Sequence, residues 1–162
     1  MSRIIHPIPP IYDKNSKILI LGSFPSVKSR EEEFFYAHKQ NRFWIVLSSV
    51  LRVPLPNSVS EKTEMLLSAG IALWDVIGEC EIEGSADTSI KNVRVNDLNC
   101  ILQSADIKAI FTNGKKAHGL YCRHNASIIG KAAIYLPSTS PANAVFSIDK
   151  LISEWQIIKE YL

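Results

Sequence analysis

Four consecutive apolar residues, Ile18-Leu19-Ile20-Leu21, constrain this chain more than any other stretch, because no polar residue alternates with them. A strand with one face in water alternates apolar and polar side chains. A strand covered on both faces does not, so this run belongs inside a parallel sheet with helices above and below. Gly22 and Pro25 end it. In sheets of that kind ligands meet the carboxyl ends of the strands, which points to Ser23, Phe24 and the loop that follows. That loop is dense in aromatic and polar groups: Phe34, Phe35, Tyr36, His38, Gln40, Asn41, Arg42, Phe43 and Trp44.

Strands are expected at residues 17–21, 71–76, 107–112 and 132–136, each a short apolar run bounded by turn residues. The segments between them read as helices. Phe43, Trp44, Leu47, Val50 and Leu51 recur at helical spacing over 42–51, with Asn41 at the N-cap position and Pro54 and Pro56 beyond the end. Ser60 caps a second helix that carries Met65, Leu66 and Leu67 and stops at Gly70. Asp97 caps a third, with Leu98, Ile101, Leu102 and Ala105 on one face. After an Asn113-Gly114 turn, 115–122 is a short basic helix, and 148–162 is a closing amphipathic one. Residues 1–16 form an arm along the surface, because Pro7, Pro9 and Pro10 forbid regular helix. Residues 78–96 are polar and aperiodic, a loop long enough inside a compact domain to imply function. The expected fold is therefore one α/β domain over 1–162, a three-layer αβα sandwich around a four-stranded parallel sheet.

Composition and missing motifs narrow the chemistry. With 162 residues, 46% hydrophobic and 21% charged, the chain can build one sizeable core, and a formal charge of +2 permits a nucleic-acid partner without requiring one. Cys80, Cys100 and Cys122 are odd in number and widely spaced, which suits reduced thiols in a cytosol better than a disulfide framework or a cluster. No apolar run reaches the ~18 residues of a membrane span, so a soluble, cytoplasmic protein is expected. The chain lacks GxxxxGK[ST], GxSxG, HExxH and GxGxxG, which counts against nucleotide hydrolysis, serine hydrolysis and dinucleotide binding. His118 and His124 stand six apart, on different faces of a helix, and His6 lies in the arm, so a metal site is not expected.

Three stretches together resemble the uracil-DNA glycosylase superfamily. They are Leu21-Gly22-Ser23-Phe24-Pro25-Ser26, the run from Tyr36 to Trp44, and Pro137-Ser138-Thr139-Ser140-Pro141-Ala142-Asn143. The middle stretch is similar to mismatch-specific uracil glycosylases, while the first and last look like the hypoxanthine-DNA (deoxyinosine) glycosylase branch. The resemblance implies a monofunctional glycosylase that takes a deaminated base from double-stranded DNA, hypoxanthine foremost, as a monomer without metal or cofactor. Two rivals stand beside it: a uracil or mismatched-thymine glycosylase on the same scaffold, and a non-catalytic nucleic-acid-binding domain that keeps the fold.

Such a reaction passes through an oxocarbenium-like sugar and a departing base that gathers negative charge, after the base is flipped into a pocket. The resemblance gives Tyr36 the role of stacking aromatic, with Phe24 and Phe35 as the other candidates. In mismatch-specific relatives an Asn of the strand-one turn positions the attacking water, and here Phe24 stands in its place. In the hypoxanthine branch that role passes to Asn41, whose carboxamide oxygen would accept a hydrogen bond from water; the same residue is also a favoured helix cap. His38 and Ser138 are the other catalytic candidates. Asp75, at the end of strand two, is placed to read the base: a carboxylate welcomes the ring N–H of hypoxanthine or uracil and opposes the acceptor of adenine. Gly22, Ser23 and Ser85 complete the expected pocket. Arg42, Lys115, Lys116, Thr139, Ser140, Pro141 and Asn143 are the expected DNA contacts.

Overall fold

The unalternating run becomes the central strand of the larger of two sheets in the computed structural model, which describes residues 3–162. Ile18, Leu19, Ile20 and Leu21 are each fully buried, Ile18 and Ile20 toward one helical layer and Leu19 and Leu21 toward the other. Burying side chains of this size stabilises the fold by about 1.5–3 kcal/mol each.

In chain order the strands are β1 (Arg3–Ile5), β2 (Ile18–Gly22), β3 (Ile71–Asp75), β4 (Ile77–Glu81), β5 (Lys91–Val95), β6 (Ala109–Asn113) and β7 (Ala133–Leu136). The helices are α1 (Val27–Glu32), α2 (Phe43–Leu51), α3 (Val59–Ala69), α4 (Asn99–Leu102), α5 (Lys115–His124), α6 (Ala126–Ile129) and α7 (Ile148–Trp155), with a 3₁₀ turn at Asp87–Ser89 and another at Gln156–Tyr161. The four strands β3-β2-β6-β7 lie in that order and are all parallel. On one face pack α2, α3 and α7, through Phe43, Trp44, Leu47, Leu66 and Trp155. On the other pack α4 and α5, through Ile101, Ala117, Leu120 and Tyr121. The αβα architecture expected from the sequence is present.

The structure corrects the expectation for residues 78–96, which form a hairpin rather than an irregular loop. Strands β4 and β5 pair antiparallel, and β1 joins on the other side, giving a second, three-stranded sheet in the order β1-β4-β5. Register shifts between Ile77, Glu79 and Glu81 break the two-residue alternation by which a strand is recognised. The arm does run along the surface, with Arg3, Ile5, Pro7 and Pro9 exposed, and ahead of its prolines Arg3–Ile5 is an edge strand. From Arg3 onward the arm is built into the fold, with Ile8 buried and Ile11 bridged to Leu73, while its first two residues lie outside the described ones.

Smaller corrections concern caps and lengths. The cap of α3 is Ser58, not Ser60: its hydroxyl accepts from the Glu61 N–H at 3.0 Å, and the Glu61 carboxylate accepts in turn from the Asn57 N–H. Gly70, with φ of 79°, ends that helix as expected. Asp97 accepts from the Asn99 N–H, but the helix after it is a single turn. The charged stretch after Pro25 holds α1, whose cap Ser26 accepts from the Ser29 N–H.

Candidate active site

The carboxyl ends of all four parallel strands open on one cavity of ≈ 510 Å³. Gly22, Ser23 and Phe24 follow β2, Asp75 ends β3, Asn113 ends β6, and Ser138 to Ala142 follow β7; the loop bearing Tyr36, His38 and Asn41 and the hairpin tip at Ser85 to Thr88 close the sides. Every residue expected in the pocket, Gly22, Ser23, Phe24, Tyr36, Asp75 and Ser85, lines it, as do Asn41, His38 and Ser138. Of the expected DNA contacts, Thr139, Ser140 and Pro141 line it as well.

Gly22 is required by what stands over it. A Cβ there would lie inside van der Waals contact with Asp75 Oδ1 and 2.8 Å from the Tyr36 hydroxyl, so only glycine lets these two groups close over the strand end. Tyr36 itself holds φ of 52°, a left-handed backbone that costs a non-glycine residue energy and persists only when its surroundings fix it. Its ring stacks on Phe43 at 4.1 Å between centroids, so one face is already covered. Burial, reinforced by the nearby Asp75 charge, pushes its phenol above the ordinary tyrosine range, which keeps the hydroxyl protonated.

A chain of hydrogen bonds through Asn113, at the end of β6, links the second and third of the stretches that carry the resemblance. Asn113 donates from Nδ2 to the Tyr36 hydroxyl and to Thr139 Oγ1, each at 3.1 Å, and its Oδ1 accepts from the Thr139 N–H. The Thr139 hydroxyl donates onward to Asn41 Oδ1 at 2.9 Å. Asn41 Oδ1 also accepts from the Phe43 N–H at 3.0 Å. Because a backbone N–H can only donate, this bond fixes which end of the amide is oxygen. Both lone pairs of that oxygen are therefore engaged, and the expectation that it accepts from water is corrected: what Asn41 has left to offer is the pair of N–H donors on Nδ2.

Arg42 is corrected in a similar way. Its guanidinium donates to the carbonyls of Ser140, Asn143 and Phe146, so it clamps the loop after β7 rather than facing a phosphate. Asn143 donates from Nδ2 to the Ser138 carbonyl and Ser138 Oγ accepts from the Ser140 N–H, which stiffens the same loop from within. Trp155 donates to the Pro137 carbonyl and secures its start. His38 is exposed at the rim, its Nδ1 accepting from the Gln40 N–H, so the proton and a free donor sit on Nε2. Lys115 and Lys116 open α5 with no ion-pair partner among the described residues. They stand beside the cavity, where burial raises the Asp87 carboxyl and the Ser23 hydrogen bond and the Lys116 charge offset part of that rise. Among the described residues no three of His, Cys, Asp and Glu gather as a metal site.

Two site residues escaped sequence reasoning. Asn113 reads as half of an Asn-Gly turn, although its place at the C-terminal end of an apolar run was a signal that it faces the ligand side. His6 had no signal at all: it reaches Asp75 across 69 residues, with its Nε2 2.7 Å from Asp75 Oδ2.

Comparison with known proteins agrees with this geometry. The family model described as the uracil DNA glycosylase superfamily matches residues 9–158. A hypoxanthine DNA glycosylase of Methanosarcina acetivorans is 34% identical over 152 residues, covering 93% of this chain and 94% of that protein. A protein of the same name from Methanosarcina barkeri is 36% identical over 111 residues, 67% of this chain and 70% of its own. A solution NMR structure from M. acetivorans, described as a candidate uracil DNA glycosylase, superposes with a TM-score of 0.77 at 29% identity, covering 96% of this chain and 99% of that one.

Proposed function

The chain belongs to the uracil DNA glycosylase superfamily, and from that premise we propose that it hydrolyses the N-glycosidic bond of a flipped, deaminated base in DNA, hypoxanthine foremost. The observation that carries the choice of base is Asp75: one carboxylate oxygen is held by His6, and the other, without a hydrogen-bond partner among the described residues, stands at the cavity floor beside Gly22 and Tyr36. Hypoxanthine presents a ring N–H to such an acceptor, whereas adenine presents a lone pair. A buried acceptor left facing another acceptor loses its hydrogen bond and adds repulsion, a penalty large enough for strong discrimination. The names of the Methanosarcina relatives point to the same base.

Catalysis follows from what the other groups have free. As the bond between the sugar C1′ and the base nitrogen breaks, its electron pair leaves with the base, a water oxygen bonds to C1′ from the opposite face, and the proton that this water loses passes through solvent to the departing base. An Asn41 N–H donating to one lone pair of that water leaves the other aimed at the sugar. The donor role replaces the acceptor role expected from sequence. His38 Nε2–H at the rim is a donor for the charge on the leaving base. Among the described residues no lysine lines the cavity to form a Schiff base, and a monofunctional hydrolysis without strand cleavage is the matching reaction. Lys115 and Lys116, with the Ser140 hydroxyl, would hold flanking phosphates.

Uracil is the second candidate, because its ring N–H suits the same Asp75 oxygen. Duplexes containing hypoxanthine, uracil, xanthine or mismatched thymine, incubated with the protein and scored for abasic sites, separate the two. Fastest release of hypoxanthine is expected; exclusive release of uracil, or no release from any duplex, would overturn the assignment.

A further inference from the structure

We propose that His6, delivered to the cavity by the N-terminal strand, is a positioning residue for base selection that acts through Asp75. With Asp75 taken as the base reader proposed above, His6 decides which of its two oxygens the base meets.

The imidazole is held from every side. Its own backbone N–H donates to the Gly78 carbonyl at 2.8 Å, which locks the end of β1 onto β4. Phe24 and Trp74 approach the ring edge-on, at 5.7 and 6.1 Å between centroids, and Phe35 lies tilted at 6.3 Å. Nδ1 accepts from the Ile8 N–H at 3.1 Å. A nitrogen that accepts from a backbone amide carries no proton, so the proton sits on Nε2 and is donated to Asp75 Oδ2 at 2.7 Å. The two side chains are 2% and 5% exposed, so no water competes for this bond.

A carboxylate rotates broadly about its terminal bond, and left alone it would offer either oxygen in a range of directions. The donor at Oδ2 removes that freedom. It leaves Oδ1, against Gly22 and the Tyr36 hydroxyl, as the fixed acceptor on the cavity floor. Because His6 is neutral, the charge on Asp75 is aimed rather than cancelled, and it remains available to a base N–H. Selection of the base thus reaches back to a residue of the N-terminal segment that makes no contact with the base itself.

Two amide substitutions dissect the imidazole. His6→Asn keeps an acceptor for the Ile8 N–H but places nothing at Nε2; His6→Gln places an N–H donor at the Nε2 position. Single-turnover excision of hypoxanthine from a duplex, with DNA affinity and melting temperature measured alongside, should fall by up to ~100-fold for His6→Asn, with affinity nearly unchanged, and recover for His6→Gln, because a misaimed group of this kind loses productive geometry. Equal rates for the two variants would overturn the proposal. The same variants in an Asp75→Ala background should cost nothing further, since the residue they act through is gone; a full His6→Asn loss in that background would instead mark His6 as structural. Should Asp75→Ala alone leave hypoxanthine excision intact, the base-reader assignment has failed, and with it the premise rather than the coupling.

Discussion

Asn41 shows how an accounting of lone pairs changes a residue's role without changing its importance. Its oxygen is filled by the Phe43 N–H and the Thr139 hydroxyl, so the motif puts the residue at the cavity while what it can offer there depends on two partners, one of them 98 residues away. Asn41→Ala removes the donors and is expected to bind DNA nearly normally yet cleave ~100- to 1000-fold more slowly, about 3 to 4 kcal/mol of barrier. Asn41→Asp separates donor from acceptor. Its two oxygens would keep both bonds from Phe43 and Thr139 but replace the donors with an acceptor, so it should be as slow as the Ala variant while melting close to the wild type. An Asp variant that cleaves well would show that acceptance from water is what matters, and an unstable but active Ala variant would reduce Asn41 to a helix cap worth about 1 kcal/mol. The residues legible in the sequence, Gly22, Tyr36, Asn41 and Asp75, all follow strand ends or sit in a recognisable local motif. Those that were not, His6 and Asn113, owe their place to partners far along the chain.

At the scale of elements, two basic features that look alike in sequence do different work. Arg42 is tied to three carbonyls of the loop after β7, whereas Lys115 and Lys116 open α5 beside the cavity. Replacing both lysines with Ala should weaken binding to all duplexes alike and lower the salt slope by roughly one unit for each phosphate no longer neutralised. Arg42→Ala should leave the salt slope alone but lower stability by about 2–4 kcal/mol, since hydrogen bonds to charged groups contribute more than neutral ones. A changed slope for Arg42→Ala, or an unchanged one for the lysine pair, would reverse these assignments. The parallel strands and helices such as α2 and α7 were readable because they turn apolar residues to the core, whereas α1, with only Ser29 buried, was not. The β4–β5 hairpin was not, since bulges scramble its alternation and Glu79, Glu81, Lys91 and Arg94 make it look like solvent-exposed chain. Its tip nevertheless closes the site, through Ser23 Oγ donating to Asp87 Oδ1 and the Val27 N–H donating to Ser85 Oγ.

Across the whole molecule, one sheet supplies the floor and the other supplies the enclosure. The parallel sheet brings Gly22, Asp75, Asn113 and Ser138 to a common edge, a consequence of topology that the sequence pattern already implies. The antiparallel sheet, which that pattern does not reveal, carries the N-terminal segment to the same place and sets His6 against Asp75. Among the described residues no helix is long and apolar enough to cross a membrane. The account stands or falls on Asp75 as the group that chooses the base. Single-turnover excision by the wild type and by Asp75→Asn, on duplexes carrying hypoxanthine, uracil or adenine at one position, tests it directly. An amide at this position adds a donor that adenine can accept, so the variant should lose ~10- to 100-fold in its preference for hypoxanthine over adenine, with DNA affinity and melting temperature close to those of the wild type. Equal losses on every base together with a lower melting temperature would contradict the account and make Asp75 a structural partner of His6.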